Sequence, residues 1–129
     1  MNKILAEVSV GELLDKISIL EIKQEKIKDN ENLKFINDEY NVLKAELNNN
    51  IKNDDKLNNL FNSLKEINAK LWVIEDDKRM CEKNKDFGEK FIKLSRDVHF
   101  LNDDRAKIKL EMNNHTGSTI KEIKEYTSY

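Results

Sequence analysis

The residue types best suited to chemistry lie in the stretch LWVIEDDKRM, residues 71–80. It contains Trp72, the only tryptophan of the chain, followed by Glu75, Asp76 and Arg79. In an α-helix, side chains three, four and seven residues apart share one face. An indole, two carboxylates and a guanidinium on one face can hold a ligand by stacking and charged hydrogen bonds, or can form ion pairs with a neighbouring helix.

A second polar strip is predicted toward the end of the chain, where Ser95, Asn102, Arg105 and Lys109 fall on one helix face. Arg105 and, earlier in the chain, Lys78 each take the place of an apolar residue in a hydrophobic stripe. An unpaired charge taken out of water costs several kcal/mol. These two cations are therefore predicted either to lie at open ends of a helical bundle or to face acids.

A third strip contains Ser18, Glu21 and Glu25, and packed helices would bring the three strips together. Arginine and lysine facing a glutamate suit a small anionic metabolite, because arginine binds carboxylates through paired hydrogen bonds. The competing interpretation is a salt-bridge network, or a solvated face on which lysine and arginine stems cover apolar surface. The predicted pocket is walled by Trp72 and surrounded by Glu21, Glu75, Arg79, Asn102, Arg105 and Lys109.

The elements that must position these strips are predicted to be long helices. The chain has 129 residues with no proline and three glycines, so it lacks the turn residues that sandwiches and barrels need. The fold predicted is all-α, an antiparallel helical bundle or long helical hairpin of three to four helices in a single domain, residues 1–129. Apolar spacing places the helices over about 9–28, 31–48, 55–84 and 87–113, followed by a tail over 114–129.

Local signals set the helix ends. Ser9 and Glu12 match a capping box, Asp86 is a candidate cap for the last helix, and Gly117 suits a left-handed C-cap. The third helix has an uninterrupted coiled-coil-like seam that ends at Cys81, which is predicted to be a small core residue. The sequence leaves open whether residues 9–48 form one kinked helix or two. It also leaves open a short strand at the N-terminal KILAEV, and either a helical turn or an extended docking segment for the C-terminal tail.

Composition narrows the classes of function. The net charge is −2 with acids and bases interspersed, so no nucleic-acid footprint is present. No apolar run is long enough to span a membrane, and no signal peptide is recognised, so a cytoplasmic location is expected. The single cysteine and two histidines predict no metal site, and no cofactor motif is found.

Three stretches carry a family resemblance: VSVGELLDKISILEIKQEKI, KLWVIEDDKR, and FIKLSRDVHFLNDDRAKIKLEMN with the following GSTIKEIKEY. Together they resemble an uncharacterised domain-of-unknown-function family of small proteins from bacteria, especially marine ones, and their phages. The resemblance implies no assigned activity, and it associates some members with surface-polysaccharide genes. It highlights these candidate site residues: Asp15, Lys16, Glu21, Trp72, Glu75, Asp76, Arg79, Arg96, Asn102, Asp103, Arg105 and Lys109.

Two functions of different classes stay open. The first is a non-enzymatic helical module that forms a homo-oligomer, a dimer in the simplest case, or binds a helical protein partner. Uninterrupted apolar seams and a low apolar content for a stand-alone domain favour it. The second is a small enzyme or binder that takes an anionic metabolite into the charged pocket, with the link to polysaccharide metabolism that the resemblance implies.

Overall fold

The fold is all-α, as predicted. A computed structural model describes residues 2–129, and within that range it contains four helices and no strand. The helices pack as a bundle in which α1 contacts each of the other three. Their bounds are α1 Val10–Lys26, α2 Asn30–Asn50, α3 Asp55–Lys83 and α4 Glu89–Thr116.

The segment 9–48 forms two helices. Residues 27–29 are not helical, and the Asp29 side chain then accepts a hydrogen bond from the Asn32 backbone N–H at 3.0 Å, which caps α2. α2 runs antiparallel to α1, and the Tyr40 hydroxyl donates to the Glu21 carboxylate at 3.2 Å. Among the helices, α2 packs against α1 alone, so most of its outer surface is exposed.

α3 and α4 form a long antiparallel hairpin joined by residues 84–88. They contain 29 and 28 residues, whereas α1 contains 17. At a rise of about 1.5 Å per residue, the hairpin is about 17 Å longer than α1. α1 crosses its base, so the end of the hairpin near the loop projects as a pair of helices.

The central hydrophobic cluster lies where α1 meets the start of α3 and the end of α4. It contains the buried side chains of Leu14, Leu57, Leu64 and Met112. The end of α2 and the loop that follows it add partly buried residues to the same cluster. This small core fixes the base of the hairpin, and it leaves the flanks of α3 and α4 available for other contacts.

The N-terminal turn of α1 is pressed against the end of α4. A Cβ atom added to Gly11 would lie 2.5 Å from the backbone oxygen of Lys109, so only glycine permits this approach. The Gly11 N–H donates to the Asn113 side-chain oxygen at 2.7 Å, and the Val10 N–H donates to the Ser118 hydroxyl at 3.2 Å. Residues of α4 and the tail thus satisfy backbone donors of α1 that have no partner within the helix.

The predicted helix ends are confirmed in part. Ser9 caps α1 by accepting from the Glu12 N–H at 3.1 Å, but the Glu12 carboxylate binds Lys109 instead of completing a capping box. Gly117 is left-handed with φ 69°, as predicted. Asp86 does not cap α4: Gly88 holds the N-cap position and contributes no side chain.

The terminal segments 2–9 and 117–129 contain neither helix nor strand, so the short strand considered near the N-terminus is not formed. Among residues 2–129, none of the helices combines the length and the apolar character that a membrane span requires. A cytoplasmic location stays a prediction.

Candidate functional site

The centre of the candidate site is a buried carboxylate that joins three helices. Asp15 of α1 is 2% exposed. Its carboxylate accepts from Arg105 Nε of α4 at 3.0 Å and from a second nitrogen of the same guanidinium. Asn68 of α3 donates to the same carboxylate at 2.9 Å. The predicted acid opposite Arg105 is therefore present, and it is Asp15.

Ser18 completes this polar cluster by bonding to both Asn68 and Asp15. Asn68 also donates to the Ser18 hydroxyl at 2.8 Å, and that hydroxyl donates to the backbone oxygen of Asp15 at 2.8 Å. Within the described part of the chain, no buried side-chain nitrogen or oxygen lacks a hydrogen-bond partner. A fully paired polar cluster of this kind is rigid, and it fixes how the three helices are oriented.

Charge stabilises the ionised form of each member. Burial alone disfavours the charged form of Asp15, but the hydrogen bonds of Arg105 and Asn68 and the charges of Arg105 and Lys109 outweigh it and lower the pKa of this carboxyl. The hydrogen bond and the charge of Asp15 raise the pKa of Arg105. Burial also opposes the charge of Lys109, yet Glu12 and Asp15 raise its pKa.

Lys109 connects the cluster to the C-terminal tail. Its ammonium lies 2.8 Å from Glu12, 3.5 Å from Asp15 and 3.4 Å from Glu122 of the tail. The tail then runs back along α4, where it covers a small cavity of about 110 Å³ next to Arg105. Lys109 is thus surrounded by acids of its own chain.

A groove opens beside the cluster, between α1 and the α3–α4 hairpin. It has a volume of about 530 Å³, and Ile19, Ile22 and Leu71 form its apolar surface. Its polar lining consists of the predicted strip of α3, one further α3 residue a turn before that strip, and two residues of α4. These residues are Asn68, Trp72, Glu75, Asp76, Arg79, Asn102 and Arg105.

The polar groups of the groove differ in how they are used. Arg105 and Asn68 are committed to Asp15. In contrast, the side chains at the mouth of the groove form neither hydrogen bonds nor ion pairs with any described residue of the chain. These available groups are an indole N–H, two carboxylates, a guanidinium and an amide, from Trp72, Glu75, Asp76, Arg79 and Asn102.

Six of the twelve candidate residues do not line this groove. Asp15 and Lys109 belong to the buried cluster beside it, so the predicted place of Lys109 around the pocket is wrong. The other four lie farther from the cluster. Glu21 accepts from Tyr40 and pairs with Lys65 at 3.1 Å on another side of α1, so its predicted place in the pocket is wrong. Asp103 accepts a hydrogen bond from the hydroxyl of Tyr129 in the tail. The remaining two, Lys16 and Arg96, are exposed and do not line the groove.

Asn68 was missed by the analysis of the sequence, although a signal for it exists. It precedes Trp72 by four residues, so it extends the polar strip of α3 by one turn toward the core. Gly11, Asp15 and Ser18 likewise follow each other at intervals of four and three residues. Two small residues flanking an acid on one helix face indicate a close helix contact with a polar centre.

Metal chemistry finds no support in the geometry. Across residues 2–129, no three His, Cys, Asp or Glu side chains are grouped so that they could hold a metal ion. Cys81 is buried and free, as predicted for a core residue.

These features define a class: a small all-α bundle with a buried polar cluster at a helix crossing and an open groove beside it. The chain belongs to DUF6165, a family of unknown function, whose family model matches residues 4–129. The resemblance to an uncharacterised family is thereby confirmed. Searches of curated proteins and of solved structures find no match to the chain. Function is therefore argued from the geometry.

Proposed function

We propose that the protein binds a small polar ligand in the groove walled by Trp72. The main observation that supports this proposal is a groove of about 530 Å³ in which available polar groups surround an apolar surface. Small-molecule sites have this composition, with a mostly apolar lining and a few convergent polar groups, and volumes of about 300–1,000 Å³. An indole wall adds a large contact area at little cost in conformational entropy.

The buried cluster serves this site by holding its lining in place. The Asp15 carboxylate fixes the Arg105 guanidinium, and Asn68 ties α3 to the same carboxylate. Binding is tighter when the site is already ordered before the ligand arrives. The proposal is for binding alone and includes no covalent step.

A thermal-shift screen tests this proposal. Phosphorylated sugars, nucleotides, carboxylates and amines would be tried against the wild-type protein, Trp72→Ala and Met80→Ala. Met80 is the control, because it is on the same helix, is 47% exposed and does not line the groove. The expected hit raises the Tm of the wild type and of Met80→Ala but not that of Trp72→Ala. A screen in which every active compound acts equally on all three proteins contradicts the proposal.

Self-association is a second candidate function, and one feature favours it. A separate groove of about 680 Å³ lies between α3 and α4, and α1 contributes no residue to it. Val73 and Phe100 line this groove and are 49% and 45% exposed. Exposed apolar surface of this kind on a helical hairpin suits packing against another pair of helices.

Light scattering measures the molar mass in solution and so distinguishes a monomer from a dimer. If the apolar groove joins two copies, the wild type has the mass of a dimer and Val73→Glu has the mass of a monomer at the same concentration. Ile92→Glu is the control, because Ile92 is 54% exposed and does not line the groove. A wild type that stays monomeric at high concentration rules out this candidate and leaves the ligand site unaffected.

A further inference from the structure

The charges around the Trp72 groove are distributed unevenly. The guanidinium of Arg105 is neutralised by Asp15, and the ammonium of Lys109 is 2.8 Å from Glu12. The partnerless charged groups of the groove lining are therefore the Glu75 and Asp76 carboxylates and the Arg79 guanidinium, which sum to one negative charge. A ligand that matches the groove carries a positive charge.

The indole of Trp72 favours the same kind of ligand. A cation over the face of a tryptophan is attracted by the negative charge of the ring face, and tryptophan is the best aromatic residue for this interaction. Glu75 and Asp76 follow Trp72 by three and four residues, so they lie on the same side of α3 and line the same groove as the indole. A groove lined by an indole and two carboxylates suits an ammonium or guanidinium group.

We propose that the ligand is a small organic cation, with its ammonium or guanidinium group between Trp72 and the carboxylates of Glu75 and Asp76. Its hydrocarbon part lies against Ile19 and Leu71, the partly exposed apolar residues of the groove lining. This inference rests on the proposed function, because it assigns a ligand class to the same groove.

The inference replaces the anionic ligand predicted from the sequence. That prediction relied on Arg105 and Lys109 being available to an anion, and both are paired with acids of this chain. An anion in the groove would have Arg79 as its only available cationic partner, and it would be repelled by two carboxylates. A cation in the groove would instead be attracted by the two carboxylates and repelled only by Arg79.

Three compounds with the same pentyl chain test the ligand class: pentylammonium, hexanoate and 1-pentanol. They differ in charge and share their apolar part, so the alcohol measures what the hydrocarbon chain contributes alone. Binding is followed at neutral pH by the fluorescence of the only tryptophan. Pentylammonium is expected to bind most tightly and to weaken with added salt.

Two variants identify the groups responsible. The double variant Glu75→Gln, Asp76→Asn is expected to bind pentylammonium about tenfold more weakly, because it loses charged partners of the ligand. Both positions are exposed, so the variant should keep its helical circular dichroism. Asp104→Asn removes an exposed acid of α4 outside the groove and should leave binding unchanged.

The outcomes separate the ligand class from the site. Binding of hexanoate in preference to pentylammonium overturns the cation inference and leaves the groove as a ligand site. Equal binding of pentylammonium and 1-pentanol, or no binding of pentylammonium at all, overturns it too. Equal affinity of the wild type and the double variant overturns it by placing the cation elsewhere. The broader screen with Trp72→Ala decides independently whether the groove is a ligand site.

Discussion

Asp15 is the residue on which the polar architecture depends most, because it is the only buried carboxylate among the described residues and it accepts hydrogen bonds from side chains of both α3 and α4. A buried carboxylate is stable only with partners, and it has Arg105, Asn68 and Lys109. Removing one member of such a set costs more than the interaction itself contributes, since the others are left buried without a partner.

Asp15→Asn is expected to lower the free energy of unfolding by about 3 kcal/mol, toward the lower end for a broken buried pair. The lower end applies because the Arg105 side chain is 30% exposed and partly solvated. Urea unfolding followed by circular dichroism measures the change. Lys16→Ala is the matched control: it removes an exposed charge from the next residue and should change stability by less than about 0.5 kcal/mol. Equal effects of the two substitutions would contradict the role given to Asp15.

Stability should also depend on pH through Asp15. Its pKa is lowered in the folded protein, mainly by hydrogen bonds from Arg105 and Asn68 that outweigh burial. The unfolded chain therefore binds a proton at higher pH than the folded one does. The stabilisation is fully present above the ordinary aspartate pKa of about 3.9, and it is lost as pH falls through the lower folded value. Urea unfolding at several pH values should show a steeper acid loss in the wild type than in Asp15→Asn. Parallel curves would contradict this assignment.

At the scale of elements, the sequence predicted helices and their ends better than their contacts. The apolar repeat and the residues Ser9 and Gly117 act within one or two turns, so they can be recognised from spacing alone. The acid opposite Arg105 depends on how α1 rotates and crosses the hairpin, which no local pattern determines. The predicted place of Glu21 in the pocket was wrong because it too depended on the rotation of α1. In the structure Glu21 faces Tyr40.

Residue spacing along α3 correctly predicted which polar side chains share one face of the helix. Trp72, Glu75, Asp76 and Arg79 were predicted to share one face, and all four line one groove. Their common face follows from helix geometry alone. The identity of the surface opposite them could not be predicted, because Ile19 and Ile22 come from α1.

The crossing of α1 over α4 requires a residue without a side chain at position 11. Gly11→Ala would place a Cβ atom 2.5 Å from the Lys109 backbone oxygen, and α1 would have to shift. The expected loss of stability is about 1–3 kcal/mol, the usual range for overpacking. Thermal unfolding by calorimetry measures it. The control is Gly88→Ala, where the nearest atom is a flexible Asp86 oxygen at 3.5 Å, so only the smaller cost of alanine at an N-cap position is expected. A Gly11→Ala protein as stable as Gly88→Ala would show that the helices are not this close.

At the scale of the whole molecule, the α3–α4 hairpin has two different flanks. One flank faces α1 and forms the Trp72 groove with its charged lining, and the other is apolar around Val73 and Phe100. The tail continues along α4 and ends with Tyr129 in an edge-to-face contact with Phe100, at a centroid distance of 5.4 Å. The proposed ligand site and the proposed self-association surface therefore lie on different flanks and can be tested separately.

The most direct test of the proposed ligand site is to observe which side chains respond when a ligand is added. Nuclear magnetic resonance spectra of the ¹⁵N-labelled protein, titrated with pentylammonium, report the indole N–H of Trp72, the side-chain amide of Asn102 and the Arg79 Nε–H separately. Saturable shifts are expected at these three groups. Shifts that are confined to amides around Val73 and Phe100, or spread evenly over the exposed surface without saturation, would contradict the claim that the Trp72 groove is the ligand site.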